Sequence, residues 1–295
     1  MLRDLESGKE IRRQVDRLLL TAEAYGRFPT PVEDIVAAAK LTVSRENPLD
    51  QSALKLMPAY LRAKMRGVLQ KVQGALDRRE RLVHVNPQVD RESRRRFVML
   101  HETTHAVLPH QQDLVFADDM ETLAPSVKQL FEQEANQGAA ELLFQLDRFG
   151  TEANEYQTSL ATVQLLSDRY GASFHATARR FAEVNKNAVA LVVFDPKPAD
   201  GQQRLWRRRE VVYSKQWETR FGRPKWPAIM SPIRYSFVSS LDMPDFRATT
   251  MTGLAFQEQT VQLDVVKTPY SVFVLLWVAP KRRLIRPKRV SATTA

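Results

Sequence analysis

The segment His101-Glu102-Thr103-Thr104-His105 constrains this chain more than any other, because its pattern H-E-x-x-H works only on a helix. A four-residue step places both imidazoles on one helical face, one turn apart, so one metal ion can reach both. Glu102 follows the first histidine directly, lies beside the ligand row and can take a proton from a metal-bound water. The motif therefore predicts a metal site with His101 and His105 as ligands and Glu102 as general base.

A catalytic zinc ion takes three protein ligands and keeps one position for water, so a third donor is required. The chain has no Cys, which fits a reducing compartment and leaves His, Asp and Glu as the strong zinc ligands. We favour Glu132, on the next predicted helix. Glu134, about 200° away around that helix, and His110 stay open as alternatives. Asn136, one turn beyond Glu132, is expected to steady the site as a hydrogen-bond donor.

Hydrophobic periodicity predicts helices over most of the first 150 residues. They are placed at 10–25, 31–40, 54–65, 90–105 and 121–146. Thr30 is expected to cap the second helix, with Pro31 in its first turn. In the motif helix the arginine run 94–96 is predicted to lie opposite the apolar side. The last helix is predicted to bury one face, with small residues that permit close packing, namely Val127, Leu130, Phe131, Ala135, Gly138, Ala139, Leu142 and Leu143.

Two strands, at 69–75 and 81–86, are predicted to form a hairpin just before the motif helix. The second strand contains Val83, His84 and Val85. As an exposed edge above the metal, it would pair with an extended substrate and supply main-chain hydrogen bonds. The alternative is that this strand only packs the sheet.

The chain changes character after residue 150. Two short helices are predicted within 159–184, joined at Gly171-Ala172-Ser173 in a turn that suits a helix-turn-helix. β-rich segments follow at 188–194, 210–213, 233–239, 261–266 and 271–278. We therefore predict four parts: a metal-site domain at 1–150, a helix-turn-helix-like segment at 151–186, a β-rich C-terminal domain at 187–280 for which a sensory role is one option, and a basic tail at 281–295.

The net charge of +10 comes largely from basic clusters at 94–96, 207–209 and 281–289. Such clusters attract phosphate or acidic protein surfaces, so contact with nucleic acid is one interpretation and a solvated basic surface is the other. No stretch approaches the roughly 18 apolar residues of a membrane-spanning helix, and the first residues lack the apolar region of a signal peptide. We expect a cytoplasmic protein with no membrane contact.

The ordered motifs of this chain resemble the ImmA/IrrE metallopeptidases. The resemblance rests on Leu82-Val83-His84-Val85-Asn86, Arg96-Phe97, the H-E-x-x-H segment, Glu132-Gln133-Glu134-Ala135-Asn136 and Leu142-Leu143. It covers residues 32–146 and extends more loosely to 184. Together with the predicted elements, it indicates an α+β fold: a mainly helical zincin-like domain with a small sheet, then the helix-turn-helix-like segment and the β-rich C-terminal domain.

The resemblance implies one Zn²⁺ per chain, bound by His101, His105 and Glu132, with Glu102 as the catalytic acid and base. It also implies a protein substrate, a helix-turn-helix repressor of the XRE type, cleaved in a stress-response or mobile-element switch. The chain departs from the family at Thr103-Thr104, where small or aliphatic residues are usual, and after the leucine pair, where proline is common. These departures leave the ligand set intact and concern the choice of substrate.

Two other classes of function stay open. One is a DNA-binding or partner-binding regulator that uses the helices within 159–184 and the basic clusters, with a non-catalytic zinc site. The other is a toxin, antitoxin or phage accessory protein that binds a partner without cutting it. The presence of Glu102 favours the peptidase, because a structural zinc needs no general base and closes its fourth position with protein.

Overall fold

The structure is a computed structural model that describes residues 7–44, 73–112, 124–196, 205–242, 248–251 and 259–278. The chain divides into two compact units, the first formed by Met1–Gln157 with Ala161–Phe181 and the second by Thr158–Leu160 with Ala182–Ala295. The helix predicted at 54–65, the start of the strand predicted at 69–75 and the tail at 281–295 lie outside the described residues. No described helix combines the length and apolar character needed to cross a membrane.

The first unit is mainly helical with a small sheet. Its helices are α1 (Gly8–Thr21), α2 (Val32–Ala38), α3 (Glu92–Val107), α4 (Pro125–Leu143), α5 (Asp147–Ala153) and most of the pair α6 (Leu160–Tyr170) and α7 (Phe174–Val184). Its strands are β1 (Thr42–Ser44), β2 (Gly74–Asp77) and β3 (Leu82–Val85). The hairpin and the helix pair have the predicted order, whereas β1 and α5 were not predicted. The subdivision of the chain at residue 150 stays a prediction.

In the sheet of the first unit the strand order is β1-β3-β2, so β3 is central. It pairs parallel with β1 and antiparallel with β2, which places His84 opposite both Ser44 and Ala75. The prediction that Val83, His84 and Val85 form an exposed edge is therefore wrong, because other strands occupy both edges of β3. Among the described strands, β2 is the edge that lies beside the motif helix α3.

Helices α3 and α4 pack closely where Thr104 faces Gly138. A Cβ at Gly138 would overlap Thr104 Cγ2 and lie 2.8 Å from Thr104 Oγ1, so only glycine fits. Thr104 is buried, and its hydroxyl donates to the Leu100 carbonyl one turn back at 2.8 Å. The Thr104 side chain therefore cannot move aside to make room. The close packing predicted for Gly138 is confirmed, and this contact sets the separation of the two helices.

The predicted cap of α2 is wrong. The Thr30 hydroxyl donates to the Leu143 carbonyl at 2.8 Å, and Pro31 takes the N-cap position without a side-chain hydrogen bond. Thr30 is fully buried, so its hydroxyl serves a main-chain carbonyl at the end of α4. The Thr30 side chain therefore bonds to α4 and does not cap α2.

The outer face predicted for the arginine run is wrong for Arg96, which is buried. Its guanidinium donates to the carbonyls of Gly171, at 3.1 Å, and Thr30. Arg94 and Arg95 are exposed as predicted. On α4, the buried face was also placed wrongly at Leu130, which is 40% exposed.

The second unit contains a six-stranded antiparallel sheet of order β6-β5-β4-β9-β8-β7. Its elements are β4 (Val189–Phe194), β5 (Trp206–Tyr213), α8 (Lys215–Phe221), β6 (Ile229–Met230), a 3-10 helix (Ser236–Asp242), β7 (Ala248–Met251), β8 (Gln259–Lys267) and β9 (Val272–Trp277). The mixture of helices with small sheets confirms the α+β class.

The strand predicted at 233–239 is wrong. The 3-10 helix there buries Phe237, Val238 and Leu241, which belong with Trp206 and Trp217 to the apolar core of the second unit. These three positions are one, three and four residues apart. That spacing places them on one face of a helix, whereas the buried positions of a strand would alternate. A short apolar run supports either structure when only the sequence is considered.

In Gly138→Ala the added methyl group overlaps a side chain that cannot move, which is expected to cost about 2–3 kcal/mol. Alanine returns roughly 1 kcal/mol as a better helix former, so the expected net destabilisation is about 1–2 kcal/mol. The midpoint of urea unfolding measures the change. Gly8→Ala is the control, since nothing lies within 4 Å of a Cβ placed at Gly8 in α1. If both variants were as stable as the wild type, the two helices would not pack as closely as described.

Candidate metal centre

Three side chains from two helices converge on one point. His101 and His105 come from α3 and Glu132 from α4, and one ligand atom from each lies within 4.8 Å of the others. The two Nε2 atoms are 3.1 Å apart. Glu132 Oε2 is 3.3 Å from His101 Nε2, and Oε1 is 3.5 Å from His105 Nε2. The structure thus brings together the three residues that the sequence offered as ligands.

The separations of these donor atoms fit a single ion. Donors bound at about 2.0–2.1 Å around a tetrahedral ion lie roughly 3.3 Å from one another. The two Nε2 atoms, 3.1 Å apart, and the two Glu132 oxygens, each 3.3 or 3.5 Å from one Nε2, all lie within about 0.2 Å of that value. Two imidazoles and a carboxylate form a nitrogen and oxygen set that suits zinc, and three protein ligands leave room for water as in a catalytic site.

Hydrogen bonding within this group shifts the pKa of Glu132 and of His105. Hydrogen bonds from His101 and His105 lower the pKa of Glu132 far below its ordinary value. Burial opposes the charged form of His105, but hydrogen bonds to Glu132 and Gln111 outweigh it and raise the pKa of this imidazole. These hydrogen bonds therefore favour the carboxylate form of Glu132 and the protonated form of His105.

Glu102 lies beside the two histidines and is 9% exposed. Burial raises the pKa of its carboxyl, and the neighbouring His101 and His105 offset part of that rise. Its Oε1 faces Gly74 of β2, where a Cβ would lie 3.0 Å from this oxygen and would overlap Val98 Cγ1. Glycine at this position lets the edge strand approach the carboxyl group. A carboxyl with a raised pKa is suited to accept a proton and return it.

The two alternative ligands pair with each other. His110 Nε2 is 2.7 Å from Glu134 Oε2, and Glu134 is 1% exposed. Neither residue belongs to the group of converging ligand atoms. Asn136 is exposed on α4, and its part in the site stays a prediction.

Two residues beside the centre were missed at the sequence level. Gln111, within the helical residues 109–112, places its Oε1 2.7 Å from His105 Nδ1. Arg78, in the turn between β2 and β3, donates to the His105 carbonyl at 3.3 Å and is attracted electrostatically by Glu102. Neither residue stands in a motif, and only the fold brings them to the histidine, so the sequence held no signal for them.

Residues 64–182 match the Peptidase_M78 family, the IrrE N-terminal-like domain. The matched segment contains both histidines, Glu102 and Glu132. The match supports a zincin-like metallopeptidase family for this segment of the chain. This domain match is consistent with the ImmA/IrrE resemblance that the motifs predicted.

One solved structure, a Mycobacterium tuberculosis transcriptional regulator, shares the fold with a TM-score of 0.51. The two chains are 11% identical, and the likeness covers 92% of this chain and 76% of that one. At this identity the likeness concerns the fold alone. No curated protein matches this chain significantly.

The apparent affinity of this centre for Zn²⁺ is expected to fall as the pH is lowered through the raised pKa of His105. A raised pKa means that the metal-free site holds a proton that the ion must displace, so affinity is full above that pKa and falls by about tenfold per pH unit below it. Competition with a chelator, between about pH 5 and pH 8, measures the slope. An affinity that does not change over this range would contradict the assignment of His105 as a ligand.

Proposed function

We propose that this protein is a zinc-dependent endopeptidase in which His101, His105 and Glu132 hold one Zn²⁺ and Glu102 activates the attacking water. The observation that carries the proposal is the convergence of three ligand atoms beside a buried carboxyl with a raised pKa. The match to a peptidase family over the same residues supports it. Bound zinc would supply Lewis acidity to the scissile carbonyl and the attacking water.

Glu102 is proposed to move the proton in both halves of the reaction. It takes the proton from the water as the new C–O bond forms, and it returns the proton to the leaving amine as the C–N bond breaks. Burial at 9% exposure keeps the carboxyl poorly solvated, which raises its basicity. The ligand Glu132, with its pKa lowered, stays ionised throughout.

The substrate is proposed to pair with β2 instead of β3. The Asn86 N–H donates to the Gln73 carbonyl, and in this antiparallel register alternate residues bond to β3. Gly74 and Leu76 therefore turn their N–H and C=O groups away from β3. An extended peptide added there would run its backbone past Gly74, the residue that faces Glu102.

We further propose that the substrate is a helix-turn-helix repressor of the XRE type and that the protein acts in the cytoplasm, in a stress-response or mobile-element switch. The support is the ImmA/IrrE resemblance together with the peptidase family match, which implies a protein substrate. The net charge of +10 would favour a substrate with an acidic surface.

A second candidate is a DNA-binding regulator with a non-catalytic zinc site. The pair of α6 and α7 with its short turn supports this candidate, and so does the likeness of fold to a transcriptional regulator. Every residue of α7 is buried or half-buried, however, whereas a recognition helix needs an exposed face. In the basic cluster 207–209, Arg208 and Arg209 donate to main-chain carbonyls. The peptidase is the better supported function.

Glu102→Gln is expected to reduce cleavage by about 10²–10⁴-fold, because the amide cannot accept the proton, while the protein still binds zinc. Cleavage is followed on gels with the repressor encoded beside this protein in the genome, and bound metal by elemental analysis. His105→Ala should lose both zinc and cleavage. Glu92→Gln, at an exposed position in the first turn of α3, should retain both. Cleavage at the wild-type rate by Glu102→Gln would exclude this residue as the base.

Leu76→Pro is expected to raise KM about three- to tenfold with little change in kcat, because it removes one N–H group that faces away from β3. Steady-state kinetics on a cleaved peptide measures both constants. Ala75→Pro is the comparison variant, because the Ala75 N–H bonds to β3. Its loss should lower the melting temperature of the protein. An unchanged KM in Leu76→Pro would place the substrate elsewhere than on β2.

A further inference from the structure

We infer that Glu134 and Gln111 position His105 for the metal, by fixing which ring nitrogen of His105 carries the hydrogen. The inference deepens the proposed function and rests on it, because it assigns His105 Nε2 as a zinc ligand. Glu134 and Gln111 do not belong to the group of converging ligand atoms. They act through the imidazole.

Glu134 is enclosed by hydrogen-bond donors. It is 1% exposed, and its two oxygens face Ser7 Oγ, His110 Nε2 at 2.7 Å and Gln111 Nε2 at 2.7 Å. An ionised carboxylate has only acceptor atoms, so all three neighbours must present a hydrogen to it. A buried carboxylate that accepts hydrogen bonds from three donors is held rigidly in one position.

The orientation of Gln111 follows from this carboxylate. Gln111 is fully buried, and an amide can in principle be placed either way round. Because Glu134 only accepts, the amide NH₂ faces Glu134 and the amide oxygen faces His105 Nδ1, 2.7 Å away. A buried amide between two polar neighbours is thus held in one orientation by the charge of one of them.

The hydrogen on His105 follows in turn. The Gln111 oxygen only accepts, so in the neutral imidazole, which is the form that binds a metal, His105 Nδ1 carries the hydrogen and Nε2 keeps its lone pair. Nε2 is the atom that faces His101 Nε2 at 3.1 Å and Glu132 at 3.5 Å. The chain from Glu134 through Gln111 therefore leaves free the nitrogen that points into the centre, and it restrains the ring as hydrogen-bonded partners of metal-binding histidines do.

Zinc affinity, measured by competition with a chromophoric chelator, tests this chain of hydrogen bonds. Glu134→Gln replaces an acceptor-only group by an amide, which lets Gln111 turn and removes the constraint on Nδ1. We expect a 10–100-fold loss of zinc affinity in this variant. The exchange Glu134→Gln with Gln111→Glu places the carboxylate directly against His105 Nδ1 and the amide behind it. This double variant is expected to bind zinc within about threefold of the wild type.

Two further variants separate positioning from a loss of stability. Glu141→Gln is the matched control, since Glu141 is another buried carboxylate of α4, but it pairs with Arg180 at 2.8 Å. It should lower the melting temperature and leave zinc affinity unchanged. Gln111→Leu removes the link while Ser7 and His110 still satisfy Glu134. Gln111→Leu should also weaken zinc binding 10–100-fold. If Glu134→Gln does not fold, the zinc affinity of Gln111→Leu tests the inference in its place.

Unchanged zinc affinity in Glu134→Gln or Gln111→Leu would overturn the inference and leave the proposed function standing. A double variant that binds zinc no better than Glu134→Gln would also overturn it, because the order of carboxylate and amide would then not matter. A wild-type protein that binds no zinc would overturn both the inference and the proposed function. A loss in the single variants with recovery in the exchange supports the inference.

Discussion

The close contact between Thr104 and Gly138 is the constraint on which the metal centre depends. Helix geometry alone brings His101 and His105 together, but Glu132 belongs to another helix, and its distance from the histidines depends on how closely α3 and α4 approach. Metal-ligand distances tolerate deviations of only about 0.2 Å. A side chain in place of the hydrogen of Gly138 would separate the helices by more than that, so the ligand set depends on this glycine.

Helix α4 supplies two glutamates, two residues apart, that serve the same histidine from opposite sides. Glu132 is 57% exposed at its side chain and faces the metal side of His105, whereas Glu134 is almost fully buried and reaches the other ring nitrogen through Gln111. Residues two positions apart on a helix are separated by about 200° around its axis. The side chains of Glu132 and Glu134 therefore leave α4 in nearly opposite directions. The two glutamates therefore lie in separate environments, one beside the histidine pair and the other beside Gln111 and His110.

The sequence predicted the features that depend on local geometry. The bounds of α3, α6 and α7 and the ligands on one helical face follow from a 3.6-residue period, and the structure has them within a few residues. The sequence did not predict the features that depend on contacts between distant segments of the chain. Strand β1, Thr42–Ser44, is too short to show a period, yet its pairing turns β3 from an edge into a centre. Gln111 stands in no motif, and only the packing of residues 109–112 brings it to His105.

The motif helix α3 faces a glycine on each of two neighbouring elements. Gly74 on β2 faces Glu102, and Gly138 on α4 faces Thr104. The first glycine lets a strand backbone lie against the carboxyl group, and the second lets a helix backbone lie against the motif. Main chain can therefore approach α3 from two directions more closely than side chains would allow. The burial that raises the pKa of Glu102 and the convergence of the three ligands are both consequences of this close approach.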